Sequence, residues 1–212
     1  GGGVDLVFPH HENEIAQSTC AHGGETFVRY WLHNGFVNVD REKMSKSIGN
    51  VLLVHDLLDQ APGEAIRLAL LNAQYRQPLD WTDDGLAQAK RMLDRLYGAL
   101  RGLAGVDADP DAGPNAGFIA ALNDDLNTPK ALATLFDLAR QANTATDPGE
   151  QSRIKGELTA SADLMGLLQM DVEAWFAGEP ADSEGLDGDA IDALIEARQA
   201  AKTAKDYGEA DR

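Results

Sequence analysis

Apolar residues recur at helical spacing through most of the chain beyond position 54, and no other feature constrains the fold as strongly. Segments 54–60, 63–75 and 83–103 are predicted to be helices, and two further apolar stripes follow position 118. Helices with one apolar face bury it against one another, so the sequence predicts a helix bundle. The stripes contain Ile66, Leu70, Ala73, Leu86, Met92, Leu93, Leu96, Leu100, Leu132, Leu135, Phe136, Leu138, Ile154, Leu158, Leu164, Leu167 and Leu168.

Short polar segments mark where these helices begin. Thr82 or Asp83 is expected to cap the helix that starts near position 83. In Asp124-Asp125-Leu126-Asn127-Thr128-Pro129, Thr128 is expected to be the cap and Pro129 the first helical residue. The two aspartates there are expected to serve in capping rather than in catalysis.

Two stretches are predicted to link the helical segments. Residues 105–117 are rich in glycine, proline and aspartate, which predicts an exposed loop. Residues 178–188 are acidic and poor in apolar side chains, which predicts a mobile linker. A charged amphipathic helix is expected over residues 190–205.

The first 50 residues have a different pattern, typical of alternating strands and helices. Residues 4–8 are rich in strand-forming side chains, and Pro9 is suited to the start of a helix over residues 10–21. Residues 36–39 are predicted to be a strand that leads into a polar, lysine-containing loop.

Composition limits the class of protein. With 43% hydrophobic and 25% charged residues, the 212-residue chain resembles an ordinary globular protein, and it contains no apolar run of the roughly 20 residues that a membrane span needs. A single cysteine, Cys20, predicts a reducing compartment, the cytoplasm, and a packed thiol. The net charge of −17 argues against this chain alone gripping a long phosphate backbone.

His10 and Glu14 are four residues apart on the predicted first helix, so their side chains leave the same face. One interpretation is a surface hydrogen bond between them. The other is half of a zinc site, because two ligands cannot close such a site. The sequence from His11 is not the metalloprotease motif His-Glu-x-x-His, since Ile15 stands where the second histidine would be. His33 is expected to make a core or surface hydrogen bond rather than to act in catalysis.

Lys43 and Lys46 lie three residues apart among small polar residues, in a pattern suited to holding phosphate. Two ammonium groups on long stems can follow the charge of a reacting triphosphate. Ser45 and Ser47 add hydroxyl groups beside them. The alternative is a solvated surface loop without a ligand.

Lys43-Met44-Ser45-Lys46-Ser47 resembles the second signature of class I aminoacyl-tRNA synthetases. The segments Trp31-Leu32-His33-Asn34-Gly35-Phe36 and Gly1-Gly2-Gly3-Val4-Asp5-Leu6-Val7-Phe8-Pro9-His10-His11-Glu12-Asn13-Glu14 resemble the cysteinyl-tRNA synthetase family. The resemblance extends through nearly all 212 residues and is strongest in the first 80.

The resemblance implies ATP-dependent activation of L-cysteine to cysteinyl adenylate and transfer to tRNA(Cys), with magnesium accompanying ATP. It implies that Lys46, helped by Lys43, acts on the triphosphate, and that Ser45 and Ser47 belong to the ATP site. His10 and Glu14 match two zinc ligands of the family, whose two cysteines would precede position 1. A monomer without membrane attachment is expected.

The resemblance also implies a mainly α fold with a remnant of a Rossmann-like α/β catalytic domain. Residues 1–50 would end the catalytic domain, 51–82 would form a helical connector, and 83–177 a helix bundle. Residues 178–212 would be a linker and the start of an anticodon-binding region. We expect a fragment truncated at both ends, inactive by itself.

Two other functions stay open at this point. The cysteine ligase of mycothiol synthesis shares the fold and the lysine loop, although the full His-His-Glu-Asn-Glu word favours the tRNA enzyme. Residues 83–212 could instead serve as a non-catalytic helical tRNA-binding module.

Overall fold

Most of the chain is helical in the computed structural model, which describes residues 1–39, 42–44 and 51–178. The predicted linker and last helix at 178–212 lie outside the described residues except for Gly178. Residues Gly1–Phe176 form one compact unit. The helices are α1 (Glu12–Ala21), α2 (Val54–Leu58), α3 (Gly63–Leu71), α4 (Asp83–Gly102), α5 (Ala116–Asn123), α6 (Thr128–Thr144), α7 (Pro148–Asp163) and α8 (Val172–Ala177).

The core lies where α4 packs between α3 and α6, and α6 in turn packs against α5 and α7. This arrangement confirms the predicted mainly α fold and its helix bundle. Leu164, which was assigned to a stripe, is 56% exposed because it follows the last turn of α7. The core side chains that are almost fully buried include Leu93, Leu96, Tyr97, Phe118, Leu135, Leu138, Ile154 and Leu158.

The helix predicted over residues 63–75 is shorter than expected. It ends at Leu71, since the residues after it turn towards β-structure and the Tyr75 carbonyl accepts from the Gly35 amide instead of bonding within a helix. Its buried residues are Glu64, Ala65, Ile66 and Leu68, while Leu70 is 46% exposed.

The cap predictions were partly right. Thr82 caps α4 by accepting from the Gly85 amide at 3.0 Å, as expected. At α6 the cap is Asn127, whose side chain accepts from the Lys130 amide. Thr128 is the first helical residue instead, and its hydroxyl donates to the Ala73 carbonyl.

Among the described residues, five short strands form two small sheets. Strands β1 (Gly2–Gly3) and β2 (His33–Asn34) pair in parallel. Strand β3 (Val37–Val39) pairs antiparallel with β4 (Glu42–Lys43) and parallel with β5 (Leu79–Trp81), giving the order β4-β3-β5. The strand predicted at 36–39 is therefore confirmed.

The strand predicted at residues 4–8 was wrong. Val4–Leu6 form a 3-10 turn and Val7–His11 a π-helical turn that continues into α1. Only Phe8 within this stretch has extended dihedral angles, so the strand-forming side chains lie in turns. Within the described residues, no helix is long and apolar enough to cross a membrane.

Candidate functional site

Pairing of the two short strands β1 and β2 brings the start of α1 next to residues 31–34. Gly2 lies opposite His33, and its amide donates to the Leu32 carbonyl at 3.1 Å. A Cβ at position 2 would meet the end of the Leu6 side chain at 2.7 Å, so Leu6 packs directly against this strand. The strand pairing lies beside the point where His11 meets His33.

His11 and His33 share a hydrogen bond, with 2.8 Å between His11 Nδ1 and His33 Nε2. One of the two rings must carry the proton and donate it. Trp31 completes the cluster, since its ring stacks on His33 with a centroid distance of 5.8 Å and lies 5.0 Å from the ring of His11. Partial burial, and next the neighbouring His33, lower the pKa of His11. Both effects favour the neutral form of the His11 imidazole over the charged form.

A cleft of about 240 Å³ opens beside this cluster. Glu14 faces the cleft together with His11, while His10 is not part of its lining. The other lining residues are Gly1, Phe27, Val28, Tyr30 and Trp31. An apolar wall with a few polar groups is typical of a small-molecule site.

His10 and Glu14 are both exposed, His10 in the π-helical turn and Glu14 in the first turn of α1. An imidazole nitrogen and a carboxylate oxygen are donors that suit zinc. Within the described residues there is no cluster of three or more histidine, cysteine, aspartate or glutamate side chains that could hold a metal. The two side chains thus fit a zinc site in donor type and would need further ligands to close it.

Cys20 was expected to be a packed thiol, and this was wrong. It is exposed near the end of α1, because none of the described residues packs over this face of the helix. Its thiol belongs neither to the cleft nor to the histidine cluster.

The antiparallel pair β3–β4 leads into the lysine loop. Asn38 lies opposite Lys43 in register, and the Met44 amide donates to the Val37 carbonyl at 3.3 Å. The backbone of Lys43 is therefore on the edge strand of its sheet. Lys46, Ser45 and Ser47 lie outside the described residues.

The cluster of His11, Trp31 and His33 was missed as a unit by the sequence analysis. A hydrogen bond was expected for His33, and His33 makes one, but its partner is 22 residues away along the chain. The only local feature that pointed to His11 was its position next to His10 in the His-His-Glu-Asn-Glu motif. Nothing in a single sequence indicates which distant ring a histidine meets.

Two family models match the chain. Residues 1–91 match the catalytic domain of class I (C) tRNA synthetases, and residues 117–169 match the DALR domain. A cysteine–tRNA ligase of Parvibaculum lavamentivorans is 67% identical over 214 residues, covering all of this chain and 45% of the relative. A cysteine–tRNA ligase of Rhodospirillum rubrum is 57% identical, again over all of this chain and 46% of its own length.

The chain belongs to the cysteinyl-tRNA synthetase family. It spans about half the length of the curated relatives it matches. A solved structure of Agrobacterium radiobacter K84 LeuRS, in a ternary complex with tRNA and LeuAMS, shares the fold with a TM-score of 0.58. That match covers 87% of this chain and 27% of the LeuRS chain at 21% identity, so it shows the class I synthetase fold alone.

Proposed function

We propose that this chain forms the later part of the catalytic domain and the helical domain of a cysteine–tRNA ligase. The complete enzyme would activate L-cysteine with ATP to cysteinyl adenylate and transfer the cysteinyl group to tRNA(Cys) in the cytoplasm. The observation that carries the proposal is the identity of 67% with a curated cysteine–tRNA ligase across the whole chain. The same observation favours this function over the cysteine ligase of mycothiol synthesis.

The proposed domain boundaries are those predicted from the sequence. Residues 1–50 would belong to the nucleotide-binding domain and 51–82 to the connector. Residues 83–177 would form the helical domain, and 178–212 would lead towards an anticodon-binding region. The family models support this order, since the catalytic model covers residues 1–91 and the DALR model lies within the helical part.

Attack of the cysteine carboxylate on the α-phosphate of ATP places negative charge on the departing pyrophosphate. Lys46 is proposed to stabilise that charge, helped by Lys43, and Ser45 and Ser47 to hold phosphate oxygens. The position of Lys43 on β4, an edge strand of its sheet among the described residues, is consistent with this role. Magnesium would accompany ATP and neutralise part of its charge.

His10 and Glu14 are proposed to hold one zinc ion together with ligands from elsewhere in the complete enzyme. A bound zinc would supply a preference for a thiolate over a hydroxyl, which separates cysteine from serine. Glu14 lies in the lining of the 240 Å³ cleft, and the apolar surfaces of Phe27 and Trp31 there suit a small side chain.

The test uses a full-length chain in which this sequence replaces the matching 45% of the Parvibaculum lavamentivorans enzyme. We expect it to charge tRNA(Cys) with cysteine and to discriminate strongly against serine. A chain that instead joins cysteine to an amino sugar would show the mycothiol reaction. A folded chain that binds tRNA(Cys) without charging it would show a binding module only.

A further inference from the structure

The segment between α3 and β5, residues 72–78, is held against the β-structure that leads to the lysine loop. The Gly35 amide donates to the Tyr75 carbonyl at 2.8 Å, and the Leu79 amide donates to the Phe36 carbonyl at 2.9 Å. A Cβ at position 35 would overlap the Gln77 carbonyl, so this contact requires glycine. We call residues 72–78 the connecting segment.

On its other side the connecting segment contacts the start of the helix bundle, where the Thr128 hydroxyl donates to the Ala73 carbonyl and Asp125, in the turn between α5 and α6, makes the larger set of bonds. The Tyr75 hydroxyl donates to Asp125 Oδ1 at 2.7 Å. Arg76 donates from Nε to Oδ2 at 2.6 Å and from Nη2 to Oδ1 at 3.1 Å. Gln74 donates from its side chain to the Asp125 carbonyl at 3.0 Å. Asp125 thus binds three consecutive residues of the segment and caps no helix, contrary to the sequence-based expectation.

The backbone of this turn is itself unusual. Asp125 and its neighbour Leu126 both have φ of +52°, a left-handed conformation that side chains with a Cβ rarely adopt. Such residues persist where the surroundings determine their conformation. Here the Leu126 amide donates to the Leu122 carbonyl and the Asn127 amide to the Ala121 carbonyl. The strained backbone therefore presents Asp125 in one fixed orientation.

Hydrogen bonds and short stretches of the covalent chain together connect this turn to the lysine strand. From Tyr75 and Leu79 the bonds pass to Gly35 and Phe36, which lead directly into β3. Strand β3 then pairs with β4, with Asn38 opposite Lys43. A change at Asp125 can therefore reach the backbone of Lys43 without passing through the hydrophobic core.

We propose that Asp125 is a positioning residue for the lysine strand β4. By fixing Tyr75 and Arg76 it holds the connecting segment against Gly35 and Phe36, and so sets where β3 presents Lys43. The proposal rests on the proposed function, because the lysines act on ATP only if the chain works as a synthetase. It assigns a role in nucleotide activation to a bundle residue outside the catalytic-domain match.

Amide hydrogen exchange on the 212-residue chain carrying Asp125→Asn tests whether Asp125 holds the connecting segment and β3 in place. We expect exchange at Gly35, Leu79 and Met44 to accelerate about three- to tenfold, the range expected for loss of a charge-assisted but partly solvated contact. The amide of Leu135 in α6 should stay as protected as in the wild type, which separates a local effect from unfolding. Asp125→Glu, which keeps the charge, should restore part of the protection.

Asp137→Asn is the matched control. It breaks another exposed aspartate–arginine pair of the bundle, Arg140 to Asp137 at 2.9 Å, which has no contact with the connecting segment. It should leave exchange at Gly35, Leu79 and Met44 unchanged. An equal acceleration in both variants would overturn the proposal, since it would reflect general loosening.

The functional half is tested in the full-length chain by cysteine-dependent exchange of pyrophosphate into ATP. Asp125→Asn should lower kcat about threefold or more, by the same loss of positioning, with KM for cysteine unchanged. Unchanged amide exchange, or altered amide exchange with an unchanged kcat, would overturn the proposal. Failure of the proposed function has a different signature, because the unsubstituted full-length chain would then lack cysteine-dependent exchange altogether.

Discussion

Tyr97 of α4 donates its hydroxyl proton to the carboxylate of Glu64 of α3, with distances of 3.0 and 3.1 Å to the two oxygens. The same carboxylate accepts from the amides of Leu168 and Gln169 at 2.9 and 2.8 Å. The Met170 amide donates to the Tyr97 hydroxyl at 3.1 Å. Burial, and also the charge of Glu64, raise the pKa of Tyr97. A buried charge is thus fully bonded where α3, α4 and the turn after α7 meet.

Glu64→Gln is expected to lower the free energy of unfolding by about 2 kcal/mol, because an amide group cannot accept every hydrogen bond that the carboxylate accepts. Tyr97→Phe should cost about 1 to 3 kcal/mol, since it removes the hydroxyl that donates to the buried Glu64 carboxylate and accepts from the partly buried Met170 amide. Urea unfolding measures both. The control is Glu173→Gln, which removes an exposed ion pair with Arg101 and should cost less than about 1 kcal/mol. Equal losses in the buried and exposed variants would contradict the assignment.

Trp81 and Trp175 form a second matched pair. Among the described residues, the Trp81 indole nitrogen is the one buried side-chain polar atom without a hydrogen-bond partner. The Trp175 indole donates to Asp94 at 2.9 Å, and its ring stacks on Tyr97 at 4.4 Å. Trp81→Phe should change stability by less than about 1 kcal/mol, because the cavity cost is offset by removal of an unpaired donor.

Trp175→Phe has no such compensation. It loses the hydrogen bond to Asp94 and part of the stacked surface, so we expect a loss of about 2 kcal/mol or more. Thermal or urea unfolding of the two variants side by side gives the comparison. A loss at Trp81 as large as that at Trp175 would show that the Trp81 nitrogen has a partner in solution.

The Asp125 contacts predict a specific pH dependence. Hydrogen bonds from Arg76, and next from Tyr75, lower the pKa of the Asp125 carboxyl from its ordinary value of 3.8. A group with a lowered folded-state pKa stabilises the fold fully above its unfolded value, and this stabilisation is lost as the pH falls through the folded-state value. The stability difference between the wild type and Asp125→Asn should therefore be constant at neutral pH and shrink below about pH 4. A difference that grows on acidification would contradict the sign.

The zinc proposal is tested by metal content rather than by activity. In the full-length chain, about one zinc per chain is expected after dialysis, as for a closed tetrahedral site. His10→Ala and Glu14→Ala should each reduce that content to well below half, because removing one of the protein ligands lowers the affinity of the site for zinc. Glu12→Ala, an exposed carboxylate in the same first turn of α1, is the control and should retain the metal. Retention of zinc in the His10 and Glu14 variants would exclude them as ligands.

The sequence predicted the helices well because their apolar spacing is a local property. Leu93, Leu96, Leu135 and Leu138 were all assigned to stripes, and all four are buried. The family model and the curated relatives confirm the family resemblance. The sequence could show it because the lysine motif and the His-His-Glu-Asn-Glu motif are each contiguous.

What the sequence did not predict depends on contacts between distant residues. Asp125 was expected to cap a helix, but it binds Arg76 in a segment 49 residues away. His11 meets His33, 22 residues away, beside the pairing of the short strands β1 and β2. Residues 4–8 have strand-forming side chains but no neighbouring strand in the described residues, so they fold into turns. Such outcomes follow from tertiary pairing, which periodicity does not encode.

Cysteine-dependent exchange of pyrophosphate into ATP by the full-length chain, compared between Lys46→Ala and Lys130→Ala, tests the central claim most directly. Lys130 is an exposed lysine of α6, so its loss should leave exchange unchanged. We predict that Lys46→Ala lowers kcat by about 100-fold or more with little effect on KM for cysteine, as expected for loss of a group that stabilises the transition state. Equal exchange rates in the two variants would contradict the account.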